Sequence, residues 1–97
     1  MNTRWFTMTR RAARVDRNQV EIVASLRRIG ASVQHLHMVG KDCPDLLVGF
    51  RGRNYVIEVK DAKGKLMPGQ AQWMTEWRGQ SCVVRTPEEA ILTITSR

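Results

Sequence analysis

Three charged residues near the middle of the chain could carry hydrolytic chemistry: Asp45, which follows Pro44, and the outer members of the triplet Glu58-Val59-Lys60. Side chains two apart on a strand leave the same face, so Glu58 and Lys60 emerge with Val56 while Tyr55, Ile57 and Val59 leave the other. Asp45 joins them only in the right hairpin register. A two-residue type II′ turn with Gly52 at its first central position and Arg53 at its second pairs Arg51 with Asn54, Asp45 with Lys60 and Leu47 with Glu58. A three-residue loop sends Asp45 through to the other face unless a bulge restores the phase. In the converging register the two carboxylates suit a hard cation such as Mg²⁺, whose remaining ligands are water and phosphate oxygens. Such an ion polarises a phosphate and acidifies a bound water, and a neighbouring ammonium orients that water or offsets developing charge. An acid and a lysine two apart on a strand are also common as a plain solvated ion pair. The surrounding Leu, Val, Ile and Tyr weigh against that reading, because unpaired charge is costly inside a sheet.

The elements that must position these groups can be read on either side. A helix begins at Asp16, whose capping box is completed by Gln19, with Val15 and Val20 at the staple positions; Ile22, Val23, Leu26 and Ile29 form its apolar stripe and Gly30 ends it. Ala31 to Val39 reads as a strand, Gly40 to Pro44 as a turn, and the runs 45–50 and 54–60 as a hairpin around Arg51-Gly52-Arg53. After the polar loop 61–65, Pro68 opens a helix reaching to about Trp77, with Trp73 and Trp77 expected to pack inward. Ser81 to Arg85 reads as a short buried strand, and Thr86-Pro87-Glu88-Glu89 as another helix start. The expected fold is α/β, a mixed sheet with flanking helices in the order α-β-β-β-α-β-α. Residues 1–14 form a basic N-terminal arm and residues 15–97 the domain.

A chain of 97 residues with 42% hydrophobic and 26% charged residues has room for one modest core. The formal net charge of +7 favours a polyanionic partner, nucleic acid first. No long apolar run and no basic amphipathic helix of the interfacial type marks it for a membrane. Cys43 and Cys82 stand far apart with no ligand-pair spacing, so neither a zinc site nor a disulfide scaffold is indicated. A reducing cytoplasm fits, and the first residues lack the apolar region of a secretory signal. His35 and His37 share a strand face and are expected to be ordinary, partly exposed residues.

Pro44-Asp45 followed by Glu58-Val59-Lys60 is the PD-(D/E)xK signature. The run from Gly40 to Lys60 resembles the virus-type replication-repair nuclease (VRR-NUC) family, and the similarity extends through Leu66 and Gln70 to Trp73 and Gly79 and back to Glu21. The resemblance implies a restriction-endonuclease-like core and a Mg²⁺- or Mn²⁺-dependent deoxyribonuclease in which water attack leaves a 5′ phosphate. It implies Asp45, Glu58 and the Val59 backbone carbonyl as metal ligands, Lys60 as the catalytic lysine, Glu21 as an acid reaching the metal through water, and Gln70 as a residue positioning phosphate or water. Small relatives of this kind act on branched DNA as homodimers, which implies a Holliday-junction-resolvase-like endonuclease, in the host cytoplasm if phage-encoded. Arg10, Arg11, Arg14, Lys41, Arg51, Arg53, Lys63 and Lys65 are candidate phosphate contacts. Two alternatives stand beside this: a duplex or single-strand nuclease of phage DNA processing, and a DNA-binding module with the same fold that does not cut.

Overall fold

In the computed structural model, residues 17–96 are described. The N-terminal arm, with Arg10, Arg11 and Arg14, lies outside the described residues, as do Val15 and Asp16. Helix α1 runs Arg17–Arg28 and is followed by strands β1 (Ser32–His35), β2 (Leu46–Phe50) and β3 (Arg53–Val59). Helix α2 (Pro68–Glu76), strand β4 (Ser81–Val84) and helix α3 (Pro87–Thr95) complete the chain. This is the expected α-β-β-β-α-β-α order. The four strands lie in chain order, β1 to β3 antiparallel and β4 parallel to β3. The parallel pair requires a crossover, which residues 60–80 supply through α2.

Period-two alternation sorts the sheet into two unlike faces. Leu46 and Val48 of β2, Tyr55 and Ile57 of β3 and Val84 of β4 are buried against Ile22, Val23 and Leu26 of α1 and Ala90 and Ile94 of α3. The opposite face carries Leu47, Val56, Glu58 and Lys60, and α2 reaches it through Gln70. Helix α1 stops because Gly30 takes a left-handed φ of 97°, with Gly30 N–H donating to Arg27 O and Ala31 N–H to Leu26 O, both at 3.0 Å. That is the Schellman pattern, and the buried Ala31 adds its apolar contact. Helix α3 starts as expected: the Thr86 hydroxyl accepts from Glu89 N–H at 3.0 Å, with Pro87 in the first turn.

The structure corrects three details. The turn between β2 and β3 is Arg51-Gly52, with Phe50 paired to Arg53, so Gly52 is the second central residue. Both turn residues have positive φ, 52° and 80°, which is the type I′ form whose twist matches the flanking strands. Strand β1 is shorter than Ala31–Val39. It ends at His35, and Gly40, Lys41 and Asp42 in succession take left-handed φ values of 73°, 57° and 66° to reverse the chain before Pro44. Trp77 is not packed inward: it is 47% exposed. No described helix is long and apolar enough to cross a membrane.

Candidate active site

The functional groups meet at the end of the sheet where β2 begins and β3 finishes. Leu46 pairs with Ile57, so one step outward Asp45 stands opposite Glu58, not Lys60. The shift is two positions in register, which keeps the parity and puts Asp45 on the face of Glu58 and Lys60. Its backbone is held by the residue that follows β1, Leu36 N–H donating to Asp45 O at 2.7 Å. Its side chain reaches across to β3, where Oδ2 accepts from Val59 N–H at 2.8 Å.

Glu58 is 4% exposed, unusual for a carboxylate, and two neighbours address it. Lys60 Nζ lies 3.4 Å from Oε2, and Gln70 Nε2 donates to the same oxygen at 3.1 Å. Burial and the neighbouring Asp45 raise the Glu58 pKa above the usual carboxylate range, with Lys60 only partly opposing them. Gln70 is oriented from its other end: its Oε1 accepts from Met67 N–H at 2.9 Å, the reciprocal half of a capping box. Met67 has no hydroxyl to supply the forward half, so the cap serves mainly to aim the Gln70 amide at Glu58. Gly69, beside Gln70, packs against Asp42, and a side-chain carbon at position 69 would collide with that carboxylate. The β1–β2 turn therefore braces the start of α2.

A cleft of about 460 Å³ joins these groups, lined by Asn18, Gln19, Asp45, Glu58, Val59, Lys60, Asp61, Gly64 and Gln70. Asn18 was not singled out by the sequence, and Gln19 was expected only as the capping-box partner of Asp16. Asn18 Nδ2 donates to Lys60 O at 3.0 Å and to Arg85 O at 3.1 Å, tying together the ends of β3 and β4. Gln19 is buried, its Nε2 3.2 Å from His35 Nδ1. Arg85 Nη1 then donates to Asp61 O at 2.7 Å and Gly64 O at 2.6 Å, fixing the loop that follows Lys60. Asn18→Ala removes both clamps and leaves two strand-end carbonyls to water. It is expected to cost about 1–3 kcal/mol in urea unfolding and to lower any turnover that depends on Lys60 more than it raises KM.

Other sequence-derived site residues lie elsewhere. Glu21 is exposed on the outer side of α1 with Arg17, Val20 and Ala24, and does not line the cleft; the α1 residues that do are amides. Arg51 and Arg53 sit at the hairpin tip, roughly 17 Å along β3 from Glu58 at about 3.3 Å per residue. Lys63 and Lys65 are exposed on the loop after Lys60, and Lys41 is exposed in the turn before Asp45.

Among the described residues no group of three or more His, Cys, Asp or Glu side chains converges on a metal position. The donors at hand are two carboxylates. Magnesium is commonly held by one or two, with water and substrate phosphates completing its shell, so the set fits.

No family model and no curated protein matches the chain. A solved structure described as a VRR_NUC domain does: it superposes with a TM-score of 0.65 at 26% identity, over 82% of this chain and 92% of that one. Motif, element order and superposition agree in their likeness to a VRR_NUC domain, which supports a place in that family and a nuclease fold of the PD-(D/E)xK type.

Proposed function

We propose that the protein is a Mg²⁺- or Mn²⁺-dependent DNA endonuclease, with Asp45 and Glu58 as metal ligands and Lys60 as the catalytic lysine. The observation that carries this is the meeting of those three side chains in one cleft at the open end of the hairpin. A divalent ion there supplies Lewis-acid polarisation of a phosphate and a water of lowered pKa. The chain's own residues do the rest. Asp45 and Glu58 hold the ligand geometry, the first locked by Val59 N–H and the second by Gln70. Lys60, 18% exposed and beside Glu58, reaches into the cleft where an attacking water or a charged phosphate oxygen would sit. The Val59 carbonyl is a candidate further ligand. From its outward position on α1, Glu21 would reach an ion only through water.

DNA is the proposed partner because the chain carries a net charge of +7 and the loops flanking the cleft present Lys41, Lys63 and Lys65. Arg51 and Arg53 would contact a substrate that runs the length of the hairpin. Four-way junction cleavage by a C2 homodimer is the finer form of the proposal, in which two copies of one site cut two strands.

The test incubates the protein with labelled four-way junction, linear duplex and single strand, in EDTA, Mg²⁺ or Mn²⁺. Metal-dependent cuts bearing 5′ phosphates, placed symmetrically on the junction, are expected. Cutting of duplex or single strand alone would replace the junction reading, and binding with no cleavage in any metal would leave a DNA-binding module. Affinity in EDTA is expected to fall steeply with salt, with a log–log slope of about −0.9 for each duplex phosphate neutralised.

A further inference from the structure

The side of α2 that carries Gln70 toward Glu58 also carries Trp73, and Trp77 follows as the residue that caps the helix end. Gln70, Trp73 and Trp77 stand three and seven residues apart, a spacing that returns to one side of a helix. Trp73 and Trp77 are stacked, with ring centroids 4.8 Å apart and planes 13° from parallel. Trp73 is half-buried, whereas Trp77 is 47% exposed. The arrangement is held in place. Trp77 N–H donates to Trp73 O at 3.1 Å, and a side-chain carbon at Gly79 would stand 2.9 Å from the Trp77 Nε1, so the chain turns tightly along the edge of the ring. With one face against Trp73, the other face and the ring edges are what remain for solvent or a ligand.

A large aromatic ring left half in water, braced rather than packed, is poor core and good contact surface. Its surroundings narrow the partner. Trp77 lies roughly 10 Å along the helix from Gln70 at 1.5 Å per residue, the span of about three stacked nucleotides at 3.4 Å each. Arg78 is exposed next to it. Resting on the nuclease reading of the cleft, we propose that the Trp73–Trp77 stack is a platform for an unpaired nucleobase of the bound strand, which extends the pair by a third ring. Paired bases inside a duplex have both faces covered and cannot use it. The platform therefore favours single strands, branch points and frayed ends over continuous duplex.

The experiment uses the full chain with Trp5→Phe, so that only Trp73 and Trp77 report. A labelled single strand, the same strand with abasic sites and a blunt duplex of equal length are titrated in EDTA, followed by indole fluorescence and by anisotropy. The intact strand is expected to quench the indoles and to bind about tenfold more weakly to Trp77→Ala, while Trp77→Phe keeps most of the affinity. Duplex and abasic strand, which keep the phosphates, should change less than about twofold, within ordinary salt-dependent variation. Equal loss on intact and abasic strands, or no loss on either, would overturn the platform. If the wild-type protein cuts DNA yet Trp77→Ala binds single strands unchanged, the platform fails and the nuclease stands; if the wild type binds no nucleic acid, both fail.

Discussion

Glu58→Gln is expected to reduce metal-dependent cleavage by about a thousandfold or more while raising the melting temperature of the metal-free protein at neutral pH. The first effect follows from losing one of two carboxylates at the proposed metal position. The second follows from linkage. Burial and Asp45 raise the folded-state pKa of Glu58, so the fold favours its protonated form. That contribution to stability is fully present below the unfolded pKa, taken as 4.5, and is lost as pH rises through the raised folded value. Glutamine keeps the shape, can still accept from Gln70 and does not titrate. The melting difference between variant and wild type should therefore be small near pH 4 and grow in favour of the variant above it. Added Mg²⁺ should raise the melting temperature of the wild type, by binding only the folded state, and that of the variant much less. A variant that melts below the wild type at pH 7 without metal would contradict the electrostatic account of the site.

Leu46→Ala should be among the most damaging single truncations for stability. Leu46 is fully buried, pairs with Ile57 and adjoins Asp45. Removing its side chain costs about 3 kcal/mol, within a range of roughly 2–5, because α1 and α3 close only partly over the void. A domain of this size has about 5–10 kcal/mol in total, so the urea midpoint should fall by a third or more and cleavage at 37 °C should fall with the folded fraction. Leu47→Ala, one residue on but facing the other way and 38% exposed, is the control: its midpoint should move by well under half as much.

The hairpin and its two acids were legible because β-prone runs flanked a glycine turn and because period two decides faces. The turn itself was placed one residue late, since glycine is expected first in a type II′ turn, whereas here Arg51 takes a left-handed φ of 52° to keep the type I′ twist. Asp45 still converged because the register moved by an even number. Strand β1 was overextended: Leu36, Met38 and Val39 are apolar, but three successive left-handed residues at 40–42 are a property of how the chain must re-aim toward Pro44, not of composition.

Asn18 and Gln19 were missed for a different reason. Asn18 works through carbonyls 42 and 67 residues away, and no local pattern announces such partners. One signal was present: both amides fall on the buried side of α1 with Ile22, Val23 and Leu26, where polar groups need partners. The same periodicity sets Glu21 on the outer side. Trp77 was assigned inward because it stands one turn from Trp73, but α2 has no buried residue.

The proposed chemistry and the chain reversal sit at opposite ends of one hairpin, the cleft at the start of β2 and Arg51-Gly52 at the far tip. Once the tip has set the register, the geometry of the proposed site is tied by β1, β4, α1 and α2. Extra sequence, even a small recognition module, could be grafted between Arg51 and Gly52 with the reacting groups undisturbed, and a scaffold of this design can acquire new targets without renegotiating its mechanism.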